Sequence, residues 1–188
     1  AGGGFTSIGG ALRNYIARLD AGGAVDPAFN PNPFAPFGGE VYSLALQTDG
    51  KIIFGGTFTG VAGTPRSYVA RVLPSGALDA SFNPDASSFV TCVAQQTDGR
   101  VILGGIFGAM GGAARNGIAR IYNDPASQAL TLPAATQALW TRGGAAPEFF
   151  DVTFDLSTDG GASWTPLGAG NRVGSTADWQ ITGLTLPA

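Results

Sequence analysis

The strongest constraint on the fold of this chain is a threefold internal repeat. The segments GGGFTSIGGALRNYIARL, GGTFTGVAGTPRSYVARV and GGIFGAMGGAARNGIARI begin at Gly2, Gly55 and Gly104. Their phenylalanines are spaced by 53 and 49 residues, at Phe5, Phe58 and Phe107. The repeated arginines keep these steps, as Arg13, Arg66 and Arg115 and as Arg18, Arg71 and Arg120. A fixed period near 50 residues indicates one supersecondary unit repeated in an array or a ring.

The middle repeat is complete and predicts four short strands joined by tight turns. These strands are 41–47, 51–58, 67–73 and 77–79. The first strand alternates between two faces, and its larger side chains share one of them: Tyr42, Leu44 and Leu46. Asp49-Gly50 is a turn of the kind that joins antiparallel strands. Four strands in about 50 residues are typical of one blade of a β-propeller.

We therefore predict an all-β chain that begins with a partial β-propeller of three blade-like repeats of about 50 residues. The predicted repeats are 1–40, 41–89 and 90–124. The period stops at a turn signal around Asp124-Pro125. A small β-sandwich of the immunoglobulin or fibronectin kind is predicted over 125–188, with short strands at 130–132, 138–142, 148–156, 164–167 and 179–184. Its expected buried face includes Phe150, Val152, Phe154 and Leu156.

The composition narrows the chemistry. The 188 residues contain no histidine, which removes the commonest general base, transition-metal ligand and pH switch. A net charge of −3 with Lys51 as the only lysine disfavours nucleic acid as a partner, and no apolar run is long enough to cross a membrane. The only cysteine, Cys92, excludes an internal disulfide and is expected to be a buried structural thiol. We expect no cofactor and no metal.

The repeated charged residues allow two interpretations. The six arginines could line one binding surface, or each could form charge-assisted hydrogen bonds with repeated aspartates such as Asp26 and Asp79 and fix the loops of its repeat. We favour the structural interpretation. Asp49 and Asp98 are predicted to form turns, because one carboxylate per hairpin is too few for calcium. The paired glycines in the return strands are expected where another backbone segment comes close.

The repeat pattern is incomplete at both edges. Alignment with the middle repeat places the first strand of the first repeat before residue 1, and no counterpart of GALDASFNP (76–84) follows Ile121. Three repeats are also fewer than the four to eight blades of a typical propeller. Two explanations remain. Either the chain is a fragment of a longer protein, which we favour, or another subunit completes the open edge by strand addition and so builds a filament.

A short motif stands out in the C-terminal part of the chain. STDGGASW, from Ser157 to Trp164, resembles the Asp-box, S-x-D-x-G-x-x-W. The motif is a hairpin turn in which the aspartate accepts hydrogen bonds from local amides and the tryptophan packs beneath. It occurs in sialidases and other carbohydrate-active proteins, usually away from the catalytic centre. The expected structure is therefore a β-hairpin, and the arginine cluster and tyrosine of a sialidase site cannot be assembled here.

The repeated motifs resemble the delta-sixty repeat family of bacterial secreted β-propeller proteins. The motifs that carry the resemblance are Gly3-Gly4-Phe5, Arg13–Leu19, Gly23–Pro31 and Gln47–Ile53, with their later copies. They cover about residues 1–122, and the tail is similar to a sandwich module that follows such repeats in large secreted bacterial proteins. The resemblance implies an extracellular location and multi-domain parent proteins. It brings no catalytic residue and no assigned activity.

Three functions are open at this point. The leading expectation is a non-enzymatic extracellular or cell-surface scaffold or adhesion protein, whose partners are copies of itself or the rest of a parent chain, reached through open β-edges. The alternative is a carbohydrate-binding module in which Trp140, Trp164 and Trp179 offer stacking faces, although tryptophan in a sandwich is more often core. The third is a glycoside hydrolase using Asp151 and Asp155, which a solvated strand face explains better.

Overall fold

The structure of the protein, a computed structural model, describes residues 1–186. It consists of antiparallel β-strands and turns, and the prediction of an all-β chain is confirmed. None of the described residues forms a helix with the length and apolar character needed to cross a membrane.

The three repeats form 13 short strands in chain order. The first repeat contributes β1 (Ser7–Ile8), β2 (Ala11–Leu12) and β3 (Pro33–Phe34). The second contributes β4 (Val41–Leu46), β5 (Ile52–Gly56), β6 (Gly60–Val61), β7 (Thr64–Pro65) and β8 (Val69–Val72). The third contributes β9 (Val90–Gln95), β10 (Val101–Gly105), β11 (Ala109–Met110), β12 (Ala113–Ala114) and β13 (Ile118–Ile121). The second and third repeats share one architecture, since their main sheets have the orders β4-β5-β8 and β9-β10-β13.

The predicted strands of the middle repeat are confirmed in β4, β5 and β8, which lie within the predicted ranges. The predicted fourth strand is reduced to a single bridge between Val72 and Leu78. The hairpin formed by β6 and β7 was not predicted. It falls in a segment rich in glycine and proline, in which apolar and polar residues do not alternate. The turn between its two strands is formed by Ala62 and Gly63, which both have positive φ.

The backbone dihedral angles repeat with the same period as the sequence. Tyr15 and Tyr68 are 53 residues apart, and both have a φ of 64°. Gly117, which lies 49 residues after Tyr68, has a φ of 73°. A left-handed conformation is uncommon for a tyrosine, so its recurrence at one position shows that the fold of the repeat imposes it.

Two hydrophobic clusters lie between neighbouring repeats. The cluster between the first and second repeats contains Tyr15, Ile16, Phe29, Val41, Phe54, Phe58, Val61, Ala70 and Val72. The cluster between the second and third contains Ile53, Val69, Phe82, Ala86, Val90, Val93, Val101, Leu103, Phe107, Met110 and Ala119. The sheet of the second repeat thus packs against a neighbouring repeat on each face. Burial of each large side chain contributes about 1.5–3 kcal/mol, so face-to-face stacking is the main source of stability.

The paired glycines lie at β-bulges, in the pairing of β4 with β5 and of β9 with β10. A Cβ atom at Gly56 would overlap the carbonyl oxygen of Glu40, and one at Gly105 would overlap that of Phe89. The register shifts beside both glycines, between Val41 and Ser43 on β4 and at Gly105 on β10. The expectation that another backbone segment comes close is confirmed, and only glycine fits there.

The C-terminal part folds around a four-stranded sheet and a hairpin. Its strands are β14 (Ala126–Ala134), β15 (Gln137–Gly144), β16 (Thr153–Leu156), β17 (Thr165–Ala169), β18 (Asn171–Arg172) and β19 (Trp179–Thr182). The sheet has the order β14-β15-β19-β18, and β16 pairs with β17. Its core contains Ala138, Phe154, Trp179, Ile181 and Leu184.

Two predictions for this region were wrong. Residues 148–152 were expected to form a strand with 153–156, but β16 begins only at Thr153. Phe150 was expected on a buried face, yet it is 78% exposed. The physical reason is a tertiary contact, because Glu148 and the Phe149 carbonyl accept hydrogen bonds from Arg172 and this contact replaces the strand geometry over 148–152.

The connection between β15 and β16 packs against the second repeat. The amides of Thr48 and Asp49 donate to the carbonyls of Ala146 and Gly144 at 2.9 and 3.1 Å, and the Glu148 amide donates to Leu46 at 2.9 Å. Ala145 and Ala146 are fully buried in this contact. The C-terminal sheet is therefore attached to the repeats by backbone hydrogen bonds as well as by the covalent link at Asp124-Pro125.

Candidate functional site

The repeated arginines occupy two kinds of site, and Arg71 shows the more elaborate one. Its Nε donates to the Asp79 carboxylate at 2.9 Å, and its guanidinium lies 4.9 Å over the Phe82 ring. It also lies 3.1 Å from Asp124 and donates to the side chain of Asn123 in the third repeat. The side chain is 2% exposed. We call this arrangement of arginine, aspartate, phenylalanine and next repeat the clamp.

The first repeat contains the same clamp. Arg18 donates to Asp26 at 2.8 Å, lies 4.7 Å over the Phe29 ring and donates to the Pro74 carbonyl of the second repeat at 2.5 Å. Pro74 and Asn123 occupy equivalent positions, 49 residues apart. Each clamp therefore ties its own aspartate and phenylalanine to the turn of the next repeat.

The surroundings of both clamp carboxylates favour the ionised form. Hydrogen bonding from the Ala28 amide and from Arg18 lowers the pKa of Asp26. Desolvation by itself would raise the pKa of Asp79, but hydrogen bonds from Ser81 and the charge of Arg71 outweigh it and hold that pKa below its usual range. Both aspartates are therefore stabilised as anions beside their arginines.

Arg120 is the third arginine of this series, and it has no clamp. It is exposed, and in residues 1–186 no carboxylate lies within ion-pair distance of it. No Asp-x-x-Phe segment follows it, since the chain continues into β14 instead. Its strand, β13, pairs with β10 on one side only. The third repeat consequently ends in an open strand edge with a free guanidinium.

The other series of arginines bonds mainly to backbone carbonyls. Arg13 donates to Phe29, Leu12, Asp26 and Pro27 and holds the loop that carries the clamp residues. Arg66 and Arg115 each donate to the carbonyl of the preceding residue, Pro65 and Ala114. Arg66 is buried, whereas Arg115 is exposed.

Asp49 and Asp98 lie in the hairpin turns of the second and third repeats. The amides of Lys51 and Arg100 donate to them at 3.1 and 2.9 Å, and the side chains of the same two residues pair with them. Within the described residues, no three acidic, cysteine or histidine side chains come together as they would around a metal ion. Asp151 and Asp155 are both exposed.

The three tryptophans have different environments. Trp179 is 6% exposed and lies in the C-terminal core. Trp140 stacks on Phe149 with ring centroids 6.0 Å apart, and the Arg142 guanidinium lies 4.7 Å from its ring. Trp164 is 63% exposed beside an apolar groove of about 340 Å³. Of the three, only Trp164 presents an accessible ring.

Ser157–Trp164 forms the tight turn between β16 and β17. The amide and hydroxyl of Ser163 donate to Asp159 at 2.9 and 2.6 Å, and these hydrogen bonds lower the pKa of the Asp159 carboxyl. Gly160 and Gly161 have positive φ. The Trp164 indole donates to the Gly161 carbonyl at 3.2 Å, so it lies beside the turn and remains exposed instead of packing beneath it as expected.

The prediction that Cys92 is buried was wrong. The residue is exposed, although its Sγ lies so close to Gly104 that a Cβ there would overlap it. The apolar run around it does not alternate regularly, because the bulge between Gly104 and Gly105 places both Thr91 and Cys92 on the outside. A bulge of this kind is not visible in residue hydrophobicity alone.

The comparison with known families agrees with the repeat architecture. A family model described as a domain of unknown function (DUF5122) beta-propeller matches residues 1–29, 47–82 and 96–124, together half of the chain. The chain belongs to this family. No curated protein and no solved structure matches the chain. Each matched stretch of the DUF5122 repeat contains one arginine of the clamp series, and the first two stretches end at the clamp phenylalanines Phe29 and Phe82.

Two groups of contacts were not predicted from the sequence. The phenylalanines of the clamps begin the repeated Phe-Asn-Pro motifs, so the recurrence of these motifs in the sequence could have identified them. Arg142 gave no such signal. Its buried guanidinium lies beside the rings of Trp140 and Phe149, 4.7 and 4.5 Å from their centroids, and 3.8 Å from Glu148.

Proposed function

We propose that this chain is a non-enzymatic scaffold of a bacterial secreted or cell-surface protein, which assembles with copies of itself or with other repeats through its open β-edges. The observation that carries this proposal is the exposure of large apolar side chains on two sheets of the repeats. Tyr42, Leu44 and Leu46 are exposed on the face toward the first repeat. Ile106, Ile118 and Tyr122 are exposed on the outward face of the third.

The junction between the second and third repeats supports this interpretation, because there the equivalent apolar side chains are buried by face-to-face packing. Val69 occupies in the second repeat the position that Ile118 occupies in the third, and it is fully buried against its neighbour. Large exposed apolar patches on a soluble protein mark interaction sites. Head-to-tail contact between unlike faces would extend into a filament.

The most direct test is the mass of the assembled protein in solution. We expect sedimentation velocity to give a mass that rises with concentration, and electron microscopy to give ordered polymers. Ile118→Lys should abolish the assembly, because a charge would be buried at the contact. Leu12→Lys, at a residue 81% exposed on the hairpin of the first repeat, is the matched control. A chain that stays monomeric at every concentration would exclude the proposal.

We further propose the finer family assignment, the delta-sixty repeat family, with an Asp-box hairpin at Ser157–Trp164 and a sandwich module over 125–188. The hydrogen bonds to Asp159 support the hairpin. An extracellular or cell-surface location follows from the resemblance. The absence of histidine from the sequence supports a role without catalysis, cofactor or metal.

A carbohydrate-binding module is the second candidate, and the exposed ring of Trp164 is the observation that favours it. An accessible indole beside a groove is a common stacking surface for a sugar. Binding to a glycan array that disappears in Trp164→Ala but persists in Trp140→Ala would support this function. Hydrolysis of a glycoside that is lost in Asp155→Asn would instead support an enzyme.

A further inference from the structure

We propose that the free edge of β13 binds an extended Leu-Asp-x-x-Phe segment, the fourth strand of another repeat of this type, with Arg120 as the residue that recognises its aspartate. This inference rests on the proposed function and names the segment that the open edge accepts. The argument starts from the two places where the same contact is complete within the chain.

In the first and second repeats the fourth-strand segment is held by two backbone hydrogen bonds. In the second repeat the Leu73 amide donates to Ala77 at 2.8 Å, and the Asp79 amide donates to the Arg71 carbonyl at 2.9 Å. The first repeat has the same pair, from Asp20 to Ala24 and from Asp26 to Arg18, both at 2.9 Å. The fourth strand therefore always bonds to the clamp arginine and to the residue two positions after it.

The third repeat presents the receiving half of this pattern. The equivalent groups are the Arg120 carbonyl and the Tyr122 amide, and in the described part of the chain neither receives a fourth-strand partner. The side chains on this outward face, Ile118, Arg120 and Tyr122, are all exposed. A small cavity of about 100 Å³ opens beside them, lined by Arg100, Arg120, Ile121 and Tyr122.

Charge complementarity selects the occupant. Arg18 and Arg71 each pair with an aspartate at 2.8 Å and lie over a phenylalanine, whereas Arg120 has a guanidinium with neither. The nearby cation Arg100 forms the ion pair with Asp98, whereas within residues 1–186 no carboxylate lies within ion-pair distance of Arg120. An Asp-x-x-Phe segment supplies both the missing anion and the missing ring.

The test uses the isotope-labelled full chain and the synthetic peptide GALDASFNP, residues 76–84 of the sequence, with blocked termini. We expect saturable amide shifts at Ile118–Tyr122. The same peptide with Asp79→Asn should bind about two- to fivefold more weakly, because the ion pair is lost. Arg120→Gln in the chain should weaken the normal peptide to a similar extent and should no longer distinguish the two peptides. Arg115→Gln, at another exposed arginine of the same repeat, is the control and should bind as the parent chain does.

Several outcomes would overturn the proposal. Shifts confined to Val69–Val72 would mean that the peptide merely displaces its own copy in the second repeat. Equal affinity of the two peptides would remove Arg120 from recognition. Assembly of the chain that Arg120→Gln leaves intact, together with no peptide binding, would refute this inference and leave the scaffold proposal standing. Peptide binding by a chain that never assembles would support the edge site and contradict the scaffold.

Discussion

The Asp79 carboxylate lies 2.8 Å from the guanidinium of Arg71, and the two side chains are 11% and 2% exposed. The equivalent pair in the first repeat, Arg18 and Asp26, has the same separation but is 39% and 29% exposed. The geometry of the clamp is thus repeated while its burial differs. The Arg71 guanidinium contacts the side chains of Asn123 and Asp124 of the next repeat, whereas Arg18 donates to the Pro74 carbonyl.

The difference in burial predicts unequal effects of the same substitution. Asp79→Asn should lower the free energy of unfolding by about 3 kcal/mol, because it leaves a buried guanidinium with only Asp124 as a counterion. Asp26→Asn should cost much less, because exposed ion pairs contribute little to stability. Urea denaturation of the two variants and the parent checks both predictions. Equal losses would show that burial does not control the strength of the clamp.

The clamps also predict a loss of stability in acid. A carboxyl whose pKa is lowered by folding stabilises the protein at pH values above its ordinary pKa of about 3.9, and that contribution disappears as the pH falls through the lowered pKa. The thermal midpoint should therefore decrease below about pH 4. Asp79→Asn should show a shallower decrease, because one of the groups responsible is gone. Parallel curves for variant and parent would contradict this assignment.

The bulge glycines should tolerate no side chain. Gly56→Ala and Gly105→Ala each place a methyl group on a backbone carbonyl oxygen, which cannot move without disrupting the first strand of its repeat. We expect a loss of about 3 kcal/mol or failure to fold. Gly108→Ala is the control, because its nearest neighbour would be the Asn116 side chain at 4.0 Å. Circular dichroism with thermal unfolding would separate the two classes.

Exposure of Cys92 predicts a thiol that reacts in the native protein. A maleimide reagent should modify the folded chain at one site, with a rate close to that in denaturant. Cys92→Ser should abolish the modification and leave the thermal midpoint nearly unchanged, since an exposed side chain contributes little to stability. A thiol that reacts only after unfolding would restore the expectation of a buried residue.

The limits of the sequence-based predictions are clear in particular elements. The strands β4, β5 and β8 follow from alternation and from an Asp-Gly turn, which are local properties. The absence of a strand over 148–152 could not be predicted from the alternation of apolar and polar residues, because it depends on a hydrogen bond from Arg172 to Glu148, 24 residues away in sequence. The position of Cys92 depends on a bulge, and the bulge depends on a glycine in the neighbouring strand.

For the candidate site too, some features follow from the sequence and others only from the tertiary structure. The sequence alone determined the repeat, its period, its all-β character and the recurrence of the clamp arginines, two of them followed by an aspartate, because all of these are patterns along the chain. Only the tertiary structure decided that Arg18 and Arg71 join neighbouring repeats while Arg120 is left exposed. The physical reason is that a clamp needs the face of a following repeat, and the third repeat continues into β14 instead.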